Sequence, residues 1–534
     1  MSSEFNIEAH VAELDAESTI SRLWKRDHTL WQATDDEINE RLGWLTATSY
    51  MKTKLDDIED FVGEIKSENI KYFVLLGMGG SSRAAKVIHR TSGANIGFPN
   101  MVPLESTVPS TIGKTLKEID IKNTLVIVAS KSGNTIEPLL THELFKSEIT
   151  SVLGYEKAMQ RFVAITDEGS PLHQLAVKEK FRKVFLNPKD IGGRFSGITY
   201  FGLVPAALLG VNIHAMIETG EYMRSLCAPD KPANENPGAI LGATIGYLAK
   251  FGKDKLTLIT SPSVFGYGLW VVQLIAESLG KSGKGVIPIA GEPLMPPKYY
   301  GDDRLFVYLR SDTDENNETD KSIADIRSQG HPVTTINMSD INSFGAELFR
   351  WEVAISVAAS ILQVNPFNQP DVQLSKNSTS KILAKLSSGK LITDVPSDSI
   401  SKLNEYLKSS RPDDYFGLLA YLPHNRSINR ALRGMREKVV SKYKIATTLG
   451  HGPSYLHSTG QLHKGGPNSG IFLMLTAPHE NDISIPNKSY TFGQVTDADA
   501  MGDLQTLKEL NRRVVHIKLP DDSASSISSL VEKI

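Results

Sequence analysis

Short, strongly apolar runs that end in glycine or serine turns constrain the fold of this chain more than any other feature. Residues 71–82, KYFVLLGMGGSS, have the pattern of a buried strand that enters a glycine turn, and residues 124–134, TLVIVASKSGN, repeat it. RFVAIT and KVFLNP follow as further strands. Apolar strands that alternate with helical segments are typical of a mostly parallel sheet covered on both faces. The sequence therefore predicts an α/β fold.

The strand pattern begins again after residues 234–239, NENPGA, which indicates a second unit of similar design. Its candidate strands are 255–263, 285–291, 304–312 and 332–338. A helix-rich stretch from Leu348 to Val364 closes it, and a turn-rich stretch at 387–400 leads to a third, smaller α/β unit. The candidate strands of that unit are 415–423, 470–478 and 513–520.

The length of 534 residues is too great for one hydrophobic core and favours several domains. Residues 1–60 show helical apolar spacing without strand-like runs, so we predict an N-terminal helical segment there. We place a first doubly wound α/β domain at 61–230, a second at 231–386 and a C-terminal α/β domain at 387–534.

Composition excludes several classes of function. The formal net charge is −3, with no block of like charges that would suggest a nucleic-acid partner. The single cysteine, Cys227, allows no internal disulfide and no cysteine-based metal cluster. The first residues lack the apolar core of a signal peptide, and no apolar stretch is long enough for a membrane span. We therefore expect a cytoplasmic enzyme or regulator.

Two turns carry the residue types that bind phosphate. Gly77-Met-Gly79-Gly80-Ser81-Ser82 ends a strand, where glycines let backbone N–H groups and a helix N-terminus face an anion. Ser130-Lys131-Ser132-Gly133-Asn134-Thr135 follows the next buried strand and offers three hydroxyls. The alternatives are a tight strand-to-helix turn for the first motif and a helix cap with Glu137 for the second. Ligands of parallel sheets bind beyond the carboxyl ends of the strands, so both turns could hold one phosphate.

Taken together, GMGGSS and SKSGNT resemble the sugar-isomerase (SIS) domain family, whose members bind phosphosugars. Gly192-Gly193-Arg194-Phe195-Ser196 is similar to a segment of the glucose-6-phosphate isomerases within that family. Glu277-Ser-Leu-Gly280-Lys281 resembles the family motif that carries the catalytic glutamate, and FNQPDVQLSK (367–376) resembles a segment that ends in an active-site lysine. The run QLIAESLGKSGKGVIPI most resembles the isomerase half of transaldolase fusion proteins.

The resemblance implies a role for each matched residue. Glu277 would be the base that moves the proton, Arg194 would stabilise the enediolate, and Lys376 would help to open the sugar ring. The residues implied to bind the substrate, mainly its phosphate, are Gly80, Ser81, Ser130, Lys131, Ser132, Thr135 and Gln369. No cofactor and no metal is implied.

The chain departs from the family pattern in its histidine. Family members place a ring-opening histidine shortly after a Gly-Glu-Pro tripeptide, but LMPPKYYGDDR follows Gly291-Glu292-Pro293 here. The third unit instead contains YLHSTGQLHKGGPN (455–468), which resembles the missing run. We hypothesise that His457 takes this role and that Glu137 orients it, with His463 as the second candidate. The alternative is that both histidines are loop or capping residues.

The activity implied by the resemblance is the reversible conversion of glucose 6-phosphate to fructose 6-phosphate, in glycolysis and gluconeogenesis. Two alternatives stay open: an isomerase of another phosphosugar such as mannose 6-phosphate, and a phosphosugar-binding regulator without chemistry. The expected partner is the phosphosugar alone, with neither nucleic acid nor membrane. Family members are commonly homodimers in which the histidine crosses between subunits, so a homodimer is a further expectation.

Overall fold

The protein is described by a computed structural model over residues 6–388 and 396–534. It contains a five-stranded sheet and two four-stranded sheets, all with parallel strands. The α/β class with an N-terminal helical segment and a small third α/β unit is therefore confirmed. Residues 389–395 of the predicted turn-rich stretch lie outside the described residues. The domain boundaries given above stay a prediction.

The first sheet consists of β1 (Tyr72–Gly77), β2 (Asn100–Leu104), β3 (Thr124–Ala129), β4 (Phe162–Asp167) and β5 (Lys183–Asn187). The second consists of β6 (Lys255–Thr260), β7 (Ile287–Ala290), β8 (Arg304–Ser311) and β9 (Val333–Met338). The third consists of β10 (Tyr415–Ala420), β11 (Ala446–His451), β12 (Gly470–Thr476) and β13 (Arg513–Lys518).

The helices up to the end of the first sheet are α1 (Ile7–Ala16), α2 (Thr19–Trp24), α3 (Ala47–Lys52), α4 (Leu55–Ser67), α5 (Arg83–Ser92), α6 (Pro109–Glu118), α7 (Ile136–Leu153), α8 (Tyr155–Met159) and α9 (Pro171–Glu179). Those that follow are α10 (Tyr200–Leu208), α11 (Ile213–Leu226), α12 (Pro237–Lys250), α13 (Tyr267–Leu279), α14 (Asn317–Ser328), α15 (Phe344–Leu362) and α16 (Val372–Ser387). The third unit adds α17 (Ile400–Lys408), α18 (Arg426–Tyr443), α19 (Gly460–Gly465), α20 (Phe492–Glu509) and α21 (Ala524–Glu532). Within the described ranges, no helix combines the length and apolar character needed to cross a membrane.

All three sheets share one strand order. In space the strands run β2-β1-β3-β4-β5, β7-β6-β8-β9 and β11-β10-β12-β13. In each unit the chain steps to one side of its first strand and then crosses to the other side. This order opens a crevice between the carboxyl ends of the first and third strands, where ligands of such sheets bind. Because Gly77 lies opposite Ala129, the turns after β1 and β3 leave the first sheet side by side.

Strands β2 and β11 were not predicted from the sequence. Each lies at the edge of its sheet and pairs with only one neighbour among the described strands. Strand β2 is short and contains Pro103, which an edge strand tolerates because one side needs no ladder hydrogen bond. Strand β11 is only half-buried over most of its length. An edge strand buries less apolar surface, so it leaves a weaker pattern in the sequence.

Apolar contacts fix the third unit against both others. Phe492 and Val495 of α20 share a buried cluster with Val74 and Val126 of the first sheet. A second buried cluster joins residues of the third unit, including Tyr455, to Ala276, Ile287 and Ile289 of the second. Burial of this apolar surface is the main source of stabilisation at such contacts. Buried apolar contacts therefore hold the third unit, including Tyr455 in the turn after β11, against the other two units.

Candidate active site

The glycine turn after β1 is the point where three parts of the chain approach one another. Gly79 has a φ of 55°, and a Cβ atom there would lie 2.4 Å from the carbonyl oxygen of His457. A Cβ atom on Gly80 would lie 2.2 Å from the carbonyl carbon and oxygen of Gly193. Only glycine fits such approaches of backbone to backbone. The turn therefore touches both the segment that bears Arg194 and the segment that bears His457.

The second turn, Ser130 to Thr135, leads from β3 into α7. The Ser130 hydroxyl accepts a hydrogen bond from the Gly133 N–H (3.1 Å) and donates to Thr135 Oγ1 (3.0 Å). Thr135 occupies the N-cap position of α7, but its side chain makes no capping hydrogen bond. The first N–H groups of α7 therefore lack the side-chain cap that the sequence allowed as an alternative. Such groups, with the helix dipole, favour an anion.

Lys131 is already engaged within the protein. Its ammonium contacts the Asp167 carboxylate and donates to the carbonyl of Lys189 at 3.0 Å. Burial raises the pKa of Asp167, and Lys131 opposes that shift. Because Asp167 balances the lysine charge, the turn presents hydroxyl and N–H donors rather than an unpaired cation.

Glu277 lies in the last turn of α13, and only 5% of its surface is exposed. Its Oε2 is 3.4 Å from Arg194 Nη1 and 3.4 Å from Gln273 Nε2, one turn earlier on the helix. Burial raises the pKa of Glu277 because the charged form is poorly solvated, whereas Arg194 lowers it. Burial outweighs the ion pair, so the carboxylate is a stronger base than an exposed glutamate.

Arg194 is held on all sides of its guanidinium group. Nε donates to Ser278 Oγ at 2.8 Å, and Nη1 donates to Gln369 Oε1 at 3.3 Å. Nη2 donates to the carbonyl of Asn368 at 3.0 Å and to that of Pro366. Burial lowers the pKa of Arg194, and Glu277 opposes this shift. These bonds fix the cation beside the buried carboxylate.

His457 lies in a short helical turn, Ser454–His457, that follows β11. Its Nε2 is 2.6 Å from Oε1 of Glu137, the second residue of α7. Burial raises the pKa of Glu137, but the charge and hydrogen bond of His457, a backbone hydrogen bond and the charge of Lys376 together lower it below its ordinary value. The carbonyl of His457 accepts a bond from Gln273 Nε2 at 3.0 Å. Gln273 therefore joins the histidine segment to Glu277.

Comparisons with known proteins show the family to which this chain belongs. The family model described as phosphoglucose isomerase matches residues 46–282. The glucose-6-phosphate isomerase of Staphylococcus saprophyticus is 31% identical over 389 residues, which cover 64% of this chain and 87% of that relative. The chain belongs to the phosphoglucose isomerase family. The glucose-6-phosphate isomerase of Staphylococcus aureus strain Mu3 is 30% identical over the same shares of both chains.

Two solved structures have the same fold as this family member. A hypothetical protein from Thermus thermophilus superposes with a TM-score of 0.61 at 21% identity, over 71% of this chain and 97% of that one. A glucose-6-phosphate isomerase from Chlamydia trachomatis superposes with a TM-score of 0.59 at 18% identity, over 71% of this chain and 86% of that one. The segment matched by the family model includes Glu137, Arg194 and Glu277 but ends before Lys376 and His457.

His463 lies apart from these groups in this isomerase-family chain. Its ring is buried 4.9 Å from the Phe472 ring and 5.8 Å from the Tyr455 ring, measured between centroids. Burial lowers its pKa to about 3, so the imidazole is neutral near pH 7. Gln369, predicted to bind phosphate, lies beside Arg194 instead of the serine turn. Lys376 is solvent-exposed on α16.

Several residues of the site had no predicted role. Buried Lys281 donates to the carbonyls of Asn365 and Asn368 and so holds the segment that also binds Arg194. Arg83 Nη2 donates to Ser454 Oγ at 2.8 Å and to Ser458 Oγ at 3.3 Å, which fastens the His457 turn to α5. Lys281 lies inside the glutamate motif itself. Arg83 follows the glycine turn directly, but its distant partners leave no pattern in the sequence.

The bond between Glu137 and His457 predicts a pH-dependent loss of stability. Because the folded-state pKa of Glu137 is lowered, its ionised form stabilises the fold above about pH 4.5, and that contribution disappears as the pH falls through the folded-state value. Glu137→Gln should lower the free energy of unfolding by about 1–3 kcal/mol at pH 7 and by less at pH 3.5. Urea denaturation at both pH values measures this.

The solvent-facing residue Glu405 of α17 provides a control. Glu405→Gln should change the free energy of unfolding by less than about 0.5 kcal/mol at either pH. An equal loss at both pH values for Glu137→Gln would contradict the assigned charge interaction.

Proposed function

We propose that this chain catalyses the reversible isomerisation of glucose 6-phosphate and fructose 6-phosphate through a cis-enediolate. Family membership supports the substrate and the place of the reaction in glycolysis and gluconeogenesis. The observation that carries the chemistry is Glu277, a buried carboxylate with a raised pKa, 3.4 Å from the Arg194 guanidinium. A carboxylate of this kind can move a proton between adjacent carbons without a metal.

The phosphate would bind at the carboxyl ends of β1 and β3. The backbone N–H of Gly80 and the N–H groups at the start of α7 would supply donors, together with the hydroxyls of Ser81, Ser130, Ser132 and Thr135. Two turns that leave neighbouring strands side by side support this assignment. Because Lys131 is paired with Asp167, it would attract the phosphate less strongly than an unpaired lysine would. This binding energy is remote from the reacting carbons and holds them near Glu277.

His457 and Lys376 would open the sugar ring. Opening breaks the bond between C1 and the ring oxygen in the aldose, or between C2 and the ring oxygen in the ketose. One group removes the proton of the anomeric hydroxyl and the other donates a proton to the ring oxygen. Glu137, 2.6 Å from His457 Nε2, would hold the imidazole in place. Both groups therefore act before any proton leaves carbon.

Glu277 would then remove the proton from C2 of the open aldose. The electron pair forms the C1–C2 double bond, and the carbonyl oxygen O1 gains the negative charge. Arg194 would stabilise this charge, since its own buried environment keeps water from screening it. Glu277 returns the proton to C1, and transfer of the O2 proton to O1 completes the ketose. Proton and electron counts are unchanged over the whole cycle.

Replacing the base tests the proposal. Glu277→Gln should lower kcat by about 10⁴-fold or more and leave the dissociation constant for fructose 6-phosphate within about threefold, because the amide cannot accept the proton. A coupled assay and isothermal titration measure the two quantities. Glu352→Gln is the matched control, since Glu352 is a fully buried glutamate of α15 outside the site. Turnover close to wild type for Glu277→Gln would exclude Glu277 as the base.

Ring opening can be separated from proton transfer with an open-chain substrate. An analogue of fructose 6-phosphate that lacks the C5 hydroxyl cannot close its furanose ring. His457→Ala should lower kcat on fructose 6-phosphate by about 100-fold, while exchange of the analogue's C1 proton with solvent deuterium stays near the wild-type rate. Nuclear magnetic resonance follows the exchange. Unchanged turnover of fructose 6-phosphate would show that His457 does not open the ring and that another group has this role.

A further inference from the structure

Asp503 of α20 is a fully buried carboxylate that the mechanism above does not use. Its Oδ2 accepts a hydrogen bond from the Tyr455 hydroxyl at 2.5 Å. Its Oδ1 lies 2.5 Å from Lys464 Nζ and accepts a bond from the Ser375 hydroxyl at 3.1 Å. Three donors on two oxygens satisfy most of the capacity of this carboxylate, as a buried charge requires.

The partners of Asp503 belong to the segments that carry the two ring-opening groups. Tyr455 lies in the same short turn as His457, two residues before it. Ser375 directly precedes Lys376 on α16. Lys464 belongs to α19, which follows the histidine turn. One carboxylate on α20 is therefore hydrogen-bonded to the histidine segment and to the lysine helix, which are far apart in the sequence.

We propose that Asp503 is a positioning residue for ring opening: it fixes the distance between His457 and Lys376. This inference rests on the proposed function, because Asp503 has this role only if His457 and Lys376 open the ring. Two groups that exchange protons with one sugar must stand at a set separation, and a displacement of about 1 Å can lower the rate about 100-fold. Asp503 touches neither group and acts through Tyr455 and Ser375.

The surrounding network keeps the carboxylate in place. Tyr455 donates its single proton to Asp503, so Tyr421, 3.1 Å from the Tyr455 oxygen, must be the donor in that contact. Burial raises the pKa of Tyr455 well above its ordinary value, and Asp503 raises it further, so the phenol stays protonated. A buried network whose members are hydrogen-bonded to one another in this way is rigid. Removing Asp503 itself would leave Lys464 buried without its counter-charge and endanger folding.

Milder variants therefore test the proposal. Tyr455→Phe removes the bond from the histidine turn, and Ser375→Ala removes the bond from the lysine helix. Tyr421→Phe is the matched control, because it removes one buried phenol hydroxyl of the same network and leaves every bond to Asp503 intact. Each variant is assayed for kcat and KM with fructose 6-phosphate, and for solvent exchange of the C1 proton of the open-chain analogue that lacks the C5 hydroxyl.

Tyr455→Phe and Ser375→Ala should each lower kcat on fructose 6-phosphate by about tenfold or more, with KM and exchange of the open-chain analogue within about twofold of wild type. Tyr421→Phe should change all three quantities by less than about twofold. An equal loss on both substrates would show a merely structural role and overturn the proposal, as would unchanged kcat in both variants. His457→Ala, assayed alongside, distinguishes failure of this proposal from failure of the proposed function. If His457→Ala leaves the turnover of fructose 6-phosphate unchanged, the ring-opening role of His457 itself is wrong.

Discussion

The hydrogen-bonded contact between Glu137 and His457 joins the first and third units of the protein, and the rest of the site is arranged around it. Glu137 lies at the start of α7, directly after the serine turn, so the contact ties the histidine to the proposed phosphate site. Gln273 extends the connection from the His457 carbonyl to Glu277. The glycines at 79 and 80 allow the necessary backbone approaches. A side chain at either position would separate the segments that meet there.

Charge balance among buried side chains gives the site its chemical character. Glu277, Arg194 and Lys281 are almost completely buried, and their interactions are stronger there than they would be in water. Burial raises the pKa of Glu277 and lowers that of Arg194, while each partner opposes the shift of the other. Removal of either member would leave an uncompensated buried charge. The pair is therefore suited to a reaction in which negative charge forms briefly on the substrate.

The sequence predicted the α/β fold and most strands because buried strands are short apolar runs between turns. It missed β2 and β11, whose edge positions weaken that pattern. For the site, motifs predicted Glu277, Arg194 and the two turns that we propose to bind phosphate, since each is a local run of residues. The resemblance to the family also suggested the contact between Glu137 and His457, which the structure contains, but the other contacts between distant residues could not be predicted in this way. The Arg83 bond to Ser454 and the Tyr455 bond to Asp503 depend on how the units pack, which no single segment encodes.

We propose that one chain supplies every group of its own site, including the histidine from its third unit. The test uses two inactive variants, Glu277→Gln and His457→Ala. They are mixed, unfolded and refolded together, and the turnover of the mixture is then measured. We expect no fructose 6-phosphate turnover beyond the sum of the two separate variants, whatever the oligomeric state. Recovery toward about a quarter of wild-type activity, as expected of random two-fold dimers that exchange the histidine, would contradict it.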